Sequence, residues 1–337
     1  MNRKAVSMSD IARSLGVSKN AVSLALRGKD GVSEALRAQI MARARAMNYL
    51  PAEEDPARCI LALIPQSIAL LGEGMFFQRL CFHLNTCARA RDALLVYVNV
   101  SEQEEASLVL RSLPNLSTFQ GVMTIGNLSR EYCKKISEGG LRYVAVDHSY
   151  SDLPVDSVTT ANESGAYCLT RHLIEQGHRR IQFIGRPRRT ASLYERWLGF
   201  EHAMRDHDLP VPRNLMLDMP SHEHDSGNQY PLVERTLAAM DELPTAFVCG
   251  HDFTARDVIA ALGRRGLECP RDFSVVGFDD IQQPDIAPLN LTTYRTPIQA
   301  IARASVDLLL APRGDLPRKV EIFGKIVHRG SVNAIDD

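Results

Sequence analysis

The chain has 337 residues, of which 45% are hydrophobic and 23% are charged, so it is long enough for two or three domains and too apolar to be disordered. No uninterrupted apolar run approaches the roughly 18 residues that span a membrane, and no apolar stretch follows Arg3 and Lys4 as in a secretory signal. The seven cysteines are scattered and odd in number, which argues against a disulfide framework and favours a reduced, cytoplasmic protein that contacts no membrane.

Charge is distributed unevenly along the chain. Residues 1–50 contain nine Lys and Arg against three Asp and Glu, a formal charge of +6. The whole chain carries −1, so residues 51–337 carry −7. A basic N-terminal segment on an acidic remainder is typical of a protein whose N-terminal segment contacts phosphates.

The stretch from Ser7 to Leu26 predicts two short helices separated by a tight turn. Ser7 and Asp10 have the spacing of a capping box, which predicts the start of the first helix. Gly16 can take the left-handed backbone conformation that ends it. Ser18 can then cap a second helix over 19–26.

The second helix has one apolar and one polar side. Val22 and Leu26 are four residues apart and are predicted to point inward. The other side carries Lys19, Asn20 and Ser23. This arrangement is typical of a helix-turn-helix that presents short polar groups to the DNA major groove, although an ordinary helical hairpin has the same pattern.

A third helix and a linker complete the N-terminal segment. The third helix is predicted over 34–47, with Ser33 as its cap and an apolar stripe that closes a small three-helix core. Residues 1–51 are therefore predicted to form a DNA-binding domain. Residues 52–58 are predicted to be a short acidic linker in which Pro56 disfavours a helix, and the body follows over 59–337.

From Cys59 onwards the pattern changes to strands that alternate with amphipathic helices. The apolar run from Ile60 to Ile64 is typical of a strand buried on both faces. Further strands are predicted over 94–98, 121–125, 143–146, 181–184, 246–249 and 274–277. Helices are predicted over 75–91, 102–113, 130–139, 165–176, 196–207, 229–240 and 254–264. This alternation predicts an α/β fold whose body has two doubly wound, parallel-sheet lobes.

Polar residues follow several of these strands directly. They are Gln66, Asp147-His148, His251-Asp252 and Asp279-Asp280. In open parallel sheets, ligands bind at the carboxyl ends of the strands. Although polar residues begin most loops, four such positions in two lobes predict a ligand cleft between the lobes.

Motifs in the N-terminal domain (residues 1–51, called the head below) and in the body (residues 59–337) point to one family. The head contains Ser7-Met8-Ser9-Asp10-Ile11-Ala12, Gly16-Val17-Ser18, Val32-Ser33 and Asn48-Tyr49-Leu50-Pro51. The body contains Gly177-His178-Arg179-Arg180-Ile181, Arg196-Trp197-Leu198-Gly199-Phe200, Val275-Val276-Gly277-Phe278-Asp279-Asp280 and Leu291-Thr292-Thr293. In this order the motifs resemble those of the LacI/GalR family of bacterial transcriptional regulators, and the resemblance covers essentially the whole chain.

The resemblance implies a regulator, most often a repressor, with a periplasmic-binding-protein-like body whose chain crosses between two lobes three times. It implies a homodimer that binds a pseudo-palindromic DNA operator, and a small-molecule effector, usually a sugar or sugar derivative, bound between the lobes. No cofactor or metal is implied. The first lobe is expected over about 59–158 and 291–318, and the second over about 159–290 and 319–332.

The resemblance also implies site residues. The residues expected to contact DNA are Ser7, Ser18, Lys19, Asn20, Ser23, Leu24 and Arg27. The residues expected to contact the effector are Phe76, Phe77, Asp147, Arg196, His251, Asp252 and Asp279. For Arg196 and Asp279 the alternative is an ion pair across the cleft.

Three features depart from the family pattern. Leu24 stands where many members have an Arg that contacts bases, so recognition is expected to depend on Lys19 and Asn20. Either Ala21 or Leu24 is expected to contact a thymine methyl. His251 replaces an Asn, and the segment Leu217-Asp218-Met219 lacks the expected aromatic residue for stacking on a sugar ring. The linker has no leucine, which predicts operator binding without a wedge in the central minor groove.

The sequence disfavours two other classes of protein. An enzyme is disfavoured because no P-loop, nucleophile elbow, zinc-protease or dinucleotide-binding motif is present. The spacing of His222-Glu223-His224 is a weak metal motif that is more typical of a solvated loop. A plain solute-binding protein is disfavoured by the basic head and by the missing signal peptide.

Overall fold

The computed structural model describes residues 7–26, 29, 31–47, 49, 58–66, 74–108, 118–216, 230–281, 286–312 and 314–335. They form two compact units, one up to Arg58 and one from Cys59. Predicted features at Arg27, over 52–57, at Leu217-Asp218-Met219 and at His222-Glu223-His224 lie outside these residues. Within the described ranges, no helix is long and apolar enough to cross a membrane.

The head contains the three predicted helices. They are α1 (Met8–Leu15), α2 (Lys19–Leu26) and α3 (Glu34–Ala46). The backbone N–H of Ser7 donates to Asp10 Oδ2 over 2.9 Å, as expected of the capping box, and Gly16 ends α1 with a φ of +66°. Ser18 Oγ accepts from the Ala21 N–H over 3.1 Å at the start of α2. The turn chemistry read from the sequence therefore sets the helix boundaries.

Each helix of the head contributes to one small core. Ile11 of α1, Val22 of α2 and Ile40 of α3 are completely buried, and Ala44 joins them. Burial of a side chain the size of Ile or Val stabilises the folded state by about 1.5–3 kcal/mol. In a three-helix domain, this burial offsets the conformational entropy that the chain loses on folding.

The body is built from alternating strands and helices. Its strands are β1 (Arg58–Pro65), β2 (Ala93–Val100), β3 (Gly121–Ile125), β4 (Arg142–Val146), β5 (Asp156–Thr160), β6 (Ile181–Ile184), β7 (Ala246–Cys249), β8 (Ser274–Phe278), β9 (Thr292–Arg295), β10 (Lys319–Ile322) and β11 (Lys325–Val327). Its helices are α4 (Gly74–Arg89), α5 (Glu102–Ser107), α6 (Arg130–Ser137), α7 (Asn162–Glu175), α8 (Ala191–Asp206), α9 (Tyr230–Ala238), α10 (Asp252–Gly263) and α11 (Ile298–Leu310).

The strands form two sheets, as the α/β prediction requires. The first has the order β10-β5-β4-β3-β1-β2, and the second has the order β11-β9-β8-β7-β6. The pairs β1–β3, β3–β4, β4–β5, β5–β10, β6–β7, β7–β8 and β8–β9 are parallel, whereas β9–β11 is antiparallel.

Strand β1 shows why the first sheet needs a continuous apolar run. Ile60 and Ala62 face one side and pack with side chains of α4 and α11. Leu61 and Leu63 face the other side and pack with α6, including Tyr132. These four side chains of β1 are fully buried, so helices cover both faces of the sheet at this strand.

The chain passes between the sheets three times within the described residues. It leaves the first sheet after β5, returns with α11 after β9, and crosses again from β10 to β11. The number of crossings is the one that the resemblance implied. The predicted lobe boundaries are nevertheless wrong at two short strands.

The two misplaced strands are β9 and β10. Residues 292–295 fell within the range 291–318 that was expected in the first lobe, but they form β9, which pairs with β8 of the second sheet. Residues 319–322 fell within the range 319–332 that was expected in the second lobe, but they form β10, which pairs with β5 of the first sheet. Both have only four residues and carry polar side chains, so no apolar run indicated their partners.

At Gly199, helix α8 packs directly against the backbone of α7. A Cβ atom at Gly199 would lie 2.0 Å from the carbonyl oxygen of Glu163 and 3.0 Å from the backbone N of Tyr167. Backbone atoms of a helix cannot move aside as a flexible side chain can. Gly199 is therefore required by helix packing.

We expect Gly199→Ala to lower the free energy of unfolding by at least about 1–3 kcal/mol, because the added methyl overlaps the α7 backbone. The control is Gly263→Ala near the end of α10, where an added Cβ meets nothing within 4 Å. That change should be neutral or stabilise by about 0.4–1 kcal/mol. Chemical denaturation of both variants checks this, and equal effects would contradict the packing account.

Candidate functional site

The exposed side of α2 is the candidate DNA-contacting surface. Ser18, Lys19 and Asn20 are exposed there, and Leu24 is half-buried. Ser23 was predicted on the same side but is only 8% exposed. Its short side chain lies beside Val22 at the edge of the buried stripe, where neighbouring atoms cover it. The prediction that Ser23 faces DNA is therefore not supported by its position.

An arginine that the sequence analysis did not single out holds the end of α2. Arg37 of α3 donates from Nη1 to the Ala25 carbonyl over 3.1 Å and from Nη2 to the Lys29 carbonyl over 2.6 Å. The last carbonyls of a helix have no partners within the helix, so a cation that binds them stabilises that end. Arg37 therefore fixes the end of α2, and its side chain is less exposed than that of Lys19.

In the body, Arg196 of α8 is the centre of a buried polar cluster. Nη2 donates to Asp279 Oδ1 over 3.2 Å, Nη1 to the Gly250 carbonyl over 2.6 Å, and Nε to Asn162 Oδ1 over 3.0 Å. The guanidinium carbon lies 3.7 Å from the centre of the Phe278 ring. With acceptors on three sides and an aromatic ring on one face, the guanidinium is held rigidly.

The Arg196–Asp279 pair lies within the second lobe. The two side chains are only 9% and 11% exposed. The alternative weighed from the sequence, an ion pair across the cleft, is therefore wrong in its geometry. Asp279 follows β8 and also accepts from the Thr296 hydroxyl over 3.0 Å, which ties it to the end of β9.

Two predicted contact residues leave their strands in an uncommon backbone conformation. Asp147 follows β4 with a φ of +64°, and Asp279 follows β8 with a φ of +99°. Their N–H groups donate to Val158 and Tyr294 over 2.9 Å and 2.8 Å. Left-handed non-glycine residues cost energy and cluster at functional sites, which agrees with a site at these strand ends.

Asp252 and His251 hold the junction between β7 and α10. Asp252 Oδ1 accepts from the Thr293 hydroxyl and Oδ2 from the Ile281 N–H, each over 2.6 Å. Nδ1 of His251 accepts from the Thr254 N–H over 3.2 Å and so caps α10. Asp252 is 1% exposed, so in this conformation it positions the junction and does not reach a ligand.

Burial also perturbs the titration of Asp252. It raises the pKa of this carboxyl from 3.8 to about 8, outweighing the two hydrogen bonds that favour the ionised form. Between those two pH values the folded protein holds a proton that the unfolded chain releases. Stability linked to Asp252 is therefore greatest at low pH and is lost as the pH rises towards 8.

We expect the free energy of unfolding to fall between pH 6.5 and 8 by up to about 1.4 kcal/mol per pH unit through this group. Burial lowers the pKa values of His148, to about 4, and of His172 and His178, so the stability changes linked to these histidines occur mainly below their unfolded pKa of 6.5. Asp252→Asn should remove the slope, as urea denaturation at several pH values can measure. The same slope in both proteins would contradict this assignment.

The remaining predicted cleft residues lie in the first lobe. Phe76 and Phe77 are half-buried in the first turn of α4, edge to face with ring centres 5.1 Å apart. Asp147 is half-buried after β4, whereas the adjacent His148 is 3% exposed and its Nε2 lies 3.1 Å from Thr124 Oγ1. Asp147 therefore remains a candidate for ligand contact, and His148 belongs to the core.

The sequence analysis did not predict three residues that contact the Arg196–Asp279 pair. They are Asn162, Thr296 and Phe278, whose ring stacks on the Arg196 guanidinium. Asn162 starts α7 three residues before the predicted helix, and Thr296 follows β9, which was not predicted as a strand. Among the described residues, no group of His, Cys, Asp and Glu could hold a metal ion.

Comparisons with known proteins identify the family. The family profile described as bacterial regulatory proteins, lacI family, matches residues 7–52, and that of the periplasmic binding protein-like domain matches 170–332. The chain combines a lacI-family DNA-binding domain with a periplasmic binding protein-like domain. It is a DNA-binding transcriptional repressor with a ligand-binding domain. The relatives found are repressors, which agrees with the expectation that the chain is not an enzyme.

Among the relatives of this chain is the HTH-type transcriptional repressor PurR of Vibrio parahaemolyticus serotype O3:K6. It is 25% identical over 335 residues, which cover 97% of this chain and 98% of the relative. PurR of Histophilus somni (strain 129Pt) is 24% identical over 344 residues, with the same coverage of 97% and 98%.

Solved structures of low identity share the fold. The Lac repressor dimer bound to operator and the anti-inducer ONPF has a TM-score of 0.68 at 21% identity, covering 98% of this chain and 100% of that chain. The transcriptional regulator CelR–cellobiose complex has a TM-score of 0.67 at 20% identity, covering 97% of this chain and 99% of that chain.

Proposed function

We propose that this repressor is a homodimer that acts in the cytoplasm and binds a pseudo-palindromic operator with an affinity set by a carbohydrate effector in the body. The observation that carries the proposal is the rigid Arg196–Asp279 pair at the carboxyl ends of the second sheet. The guanidinium and the carboxylate are both held in fixed directions. Each can replace a hydrogen bond to the other with a hydrogen bond to a sugar hydroxyl.

The first lobe supplies the facing groups of the proposed cleft. The half-buried Asp147 can accept bonds from hydroxyls, and the Phe76–Phe77 pair offers an apolar surface. A contact already joins the two sides, because Asn127 Nδ2 donates to the Arg189 carbonyl over 3.2 Å. A mixture of carboxylate, guanidinium and aromatic groups is typical of sites for polar, neutral rings.

Solved structures with this fold support the choice of ligand class. CelR was solved with cellobiose, and the CCPA regulator of Weissella paramesenteroides with glucose. Their identity to this chain is only 20%, so they support a carbohydrate and do not select one.

A thermal-shift panel tests the effector proposal. The panel contains glucose, ribose, sucrose, cellobiose and glucose 6-phosphate, each with the full chain. A ligand that binds only the folded state at 100 times its Kd stabilises by about 2.7 kcal/mol and raises the midpoint. The shift should disappear in Arg196→Lys, whose single ammonium cannot reproduce the fork of guanidinium donors. A panel without any shift would contradict the carbohydrate assignment.

An exposed apolar patch on the first lobe supports the homodimer. β2 is the edge strand of its sheet and exposes Leu94, Val96 and Tyr97. The Tyr97 hydroxyl donates to the Cys81 carbonyl of α4, and the adjacent Phe82 is 66% exposed. An apolar edge strand continuous with an apolar helix face is unfavourable in water, and a second copy of the chain would cover it.

We expect Leu94→Glu to convert the dimer into a monomer, because it puts a carboxylate into the buried patch. Leu316→Glu is the matched control, since Leu316 is 79% exposed and lies outside the patch. Size-exclusion chromatography with light scattering should give twice the chain mass for the wild type and the control. A dimeric Leu94→Glu variant would show that another surface holds the dimer.

A further inference from the structure

A line of hydrogen bonds leads from the Arg196–Asp279 pair to the edge of the first lobe. Arg196 Nε donates to Asn162 Oδ1 over 3.0 Å, and Asn162 Nδ2 donates to Glu195 Oε2, also over 3.0 Å. Glu195 Oε1 is 2.9 Å from Lys319 Nζ. Arg196 and Glu195 belong to α8 of the second lobe, whereas Lys319 is the first residue of β10 in the first sheet. The last of these bonds therefore joins the two lobes.

The amide of Asn162 can take only one orientation in this line. Arg196 Nε is a donor and requires the amide oxygen, whereas the Glu195 carboxylate is an acceptor and requires the amide nitrogen. A flipped amide would face NH₂ towards the guanidinium and oxygen towards the carboxylate. Asn162 is 3% exposed, so water cannot replace either partner at low cost. Movement of Arg196 or of Glu195 is therefore transmitted to the other.

The line also lies at the crossings between the lobes. Asn162 begins α7 just after the first crossing, and Thr296, which donates to Asp279, follows β9 at the second. β10 leads into the third crossing, where Ala161 N–H donates to the Ile322 carbonyl over 3.0 Å. Rotation of one lobe against the other has to pass through these few residues.

We propose that Glu195 is a positioning residue that couples the Arg196–Asp279 site to the lobe crossings through Asn162 and the interlobe ion pair with Lys319. When a ligand draws the guanidinium away from Asn162, the amide loses its fixed orientation and Glu195 loses one donor. The bond to Lys319 then changes, and the two lobes reorient. The proposal rests on the proposed function only in taking this pair as the place where the effector acts.

The ion pair itself contributes little to folding. Lys319 is 45% exposed and Glu195 is 19% exposed, and Lys319 also contacts Glu321 over 2.8 Å. Half-exposed pairs of this kind rarely stabilise strongly, since solvent screens them and ordering two long side chains costs entropy. A variant at Lys319 should therefore fold normally, which makes a coupling experiment possible.

The test is a double-mutant cycle read by hydrogen exchange in the full chain without any ligand. Asp279→Asn mimics the disturbed site, and Lys319→Met cuts the interlobe bond. The reporter is the exchange rate of the peptide that contains Ala161, measured by mass spectrometry. The quantity compared is the ratio of exchange rates with and without Asp279→Asn, measured in each Lys319 background. For residues coupled through one network, this ratio typically differs at least twofold between the two backgrounds.

We expect Asp279→Asn to raise exchange at the reporter about fivefold in the wild-type background and less than twofold in the Lys319→Met background. Lys319→Arg, which keeps the cation, should restore the larger effect, and Arg171→Met, which removes an exposed ion pair within α7, should leave it unchanged. If Asp279→Asn does not fold, Thr296→Val removes one bond to Asp279 in its place.

An equal effect of the site variant in both Lys319 backgrounds would overturn the proposal, and so would an unchanged reporter in the wild-type background. Neither outcome depends on the identity of the effector. A negative sugar panel would remove the carbohydrate assignment and leave the exchange result standing, so the two failures are distinguishable.

Discussion

Arg196→Ala should lower the free energy of unfolding of the body by about 3–5 kcal/mol, the usual cost of removing one partner of a buried ion pair. The variant leaves the Asp279 carboxylate and the Gly250 carbonyl without their charged donor in a place that is about nine-tenths buried. It also removes the group that stacks on Phe278. The measurement is urea denaturation of the full chain.

A matched variant shows whether the loss of stability comes from the buried ion pair or would follow the removal of any arginine that forms an ion pair. Arg171 of α7 forms an ion pair with Glu175 in the same lobe, but the two side chains are 47% and 57% exposed. Arg171→Ala should cost less than about 1 kcal/mol. If Arg196→Ala costs no more than this control, the buried pair is not the rigid centre described above.

The second large effect is expected in the head. Asn20→Ala should weaken binding to the operator by about 1–3 kcal/mol, because an exposed amide on α2 can form a two-pronged contact with an adenine. This corresponds to a loss of roughly 5- to 150-fold. Binding to random DNA should change little, since the variant removes no charge.

Gln39→Ala is the matched control for Asn20, because Gln39 is an exposed neutral amide on α3. It should leave operator binding unchanged. Fluorescence anisotropy with operator and random duplexes at two salt concentrations separates base contact from phosphate contact. An Asn20→Ala variant that still prefers the operator as the wild type does would remove α2 from the recognition surface.

Much of the fold could be predicted because its strands are buried on both faces. The runs that became β3, β6 and β7 were predicted with their observed boundaries, since apolar residues between polar loops leave little freedom. β5 was missed because its Asp156–Thr160 sequence contains mainly Ser and Thr. Its burial comes from the strands on either side of it, which no local pattern records.

Helix boundaries were less predictable than strands. α8 begins at Ala191, five residues before the predicted start, because Thr190 Oγ1 accepts from the Leu193 N–H over 3.1 Å. α11 was not predicted, although Ile298, Ile301 and Ala302 form a buried stripe at helical spacing. That stripe could have been read from the sequence by extending the same periodicity analysis.

The sequence predicted candidate site residues but not how they are arranged. The resemblance selected Arg196 and Asp279, and the structure brings them together. It gave no means of predicting that they bind each other directly, or that Asp252 uses both carboxylate oxygens internally. Such facts depend on which strands pair, and the pairing of short polar strands is decided by tertiary contacts.

In the proposed mechanism, a ligand bound in the body controls DNA binding by the head. Its most direct test is operator affinity, measured by fluorescence anisotropy, with and without the sugar that raises the unfolding midpoint. We expect that sugar to change the affinity by at least about fivefold in the wild type and to have no effect in Arg196→Lys. A sugar that stabilises the protein but leaves operator affinity unchanged would contradict the claim.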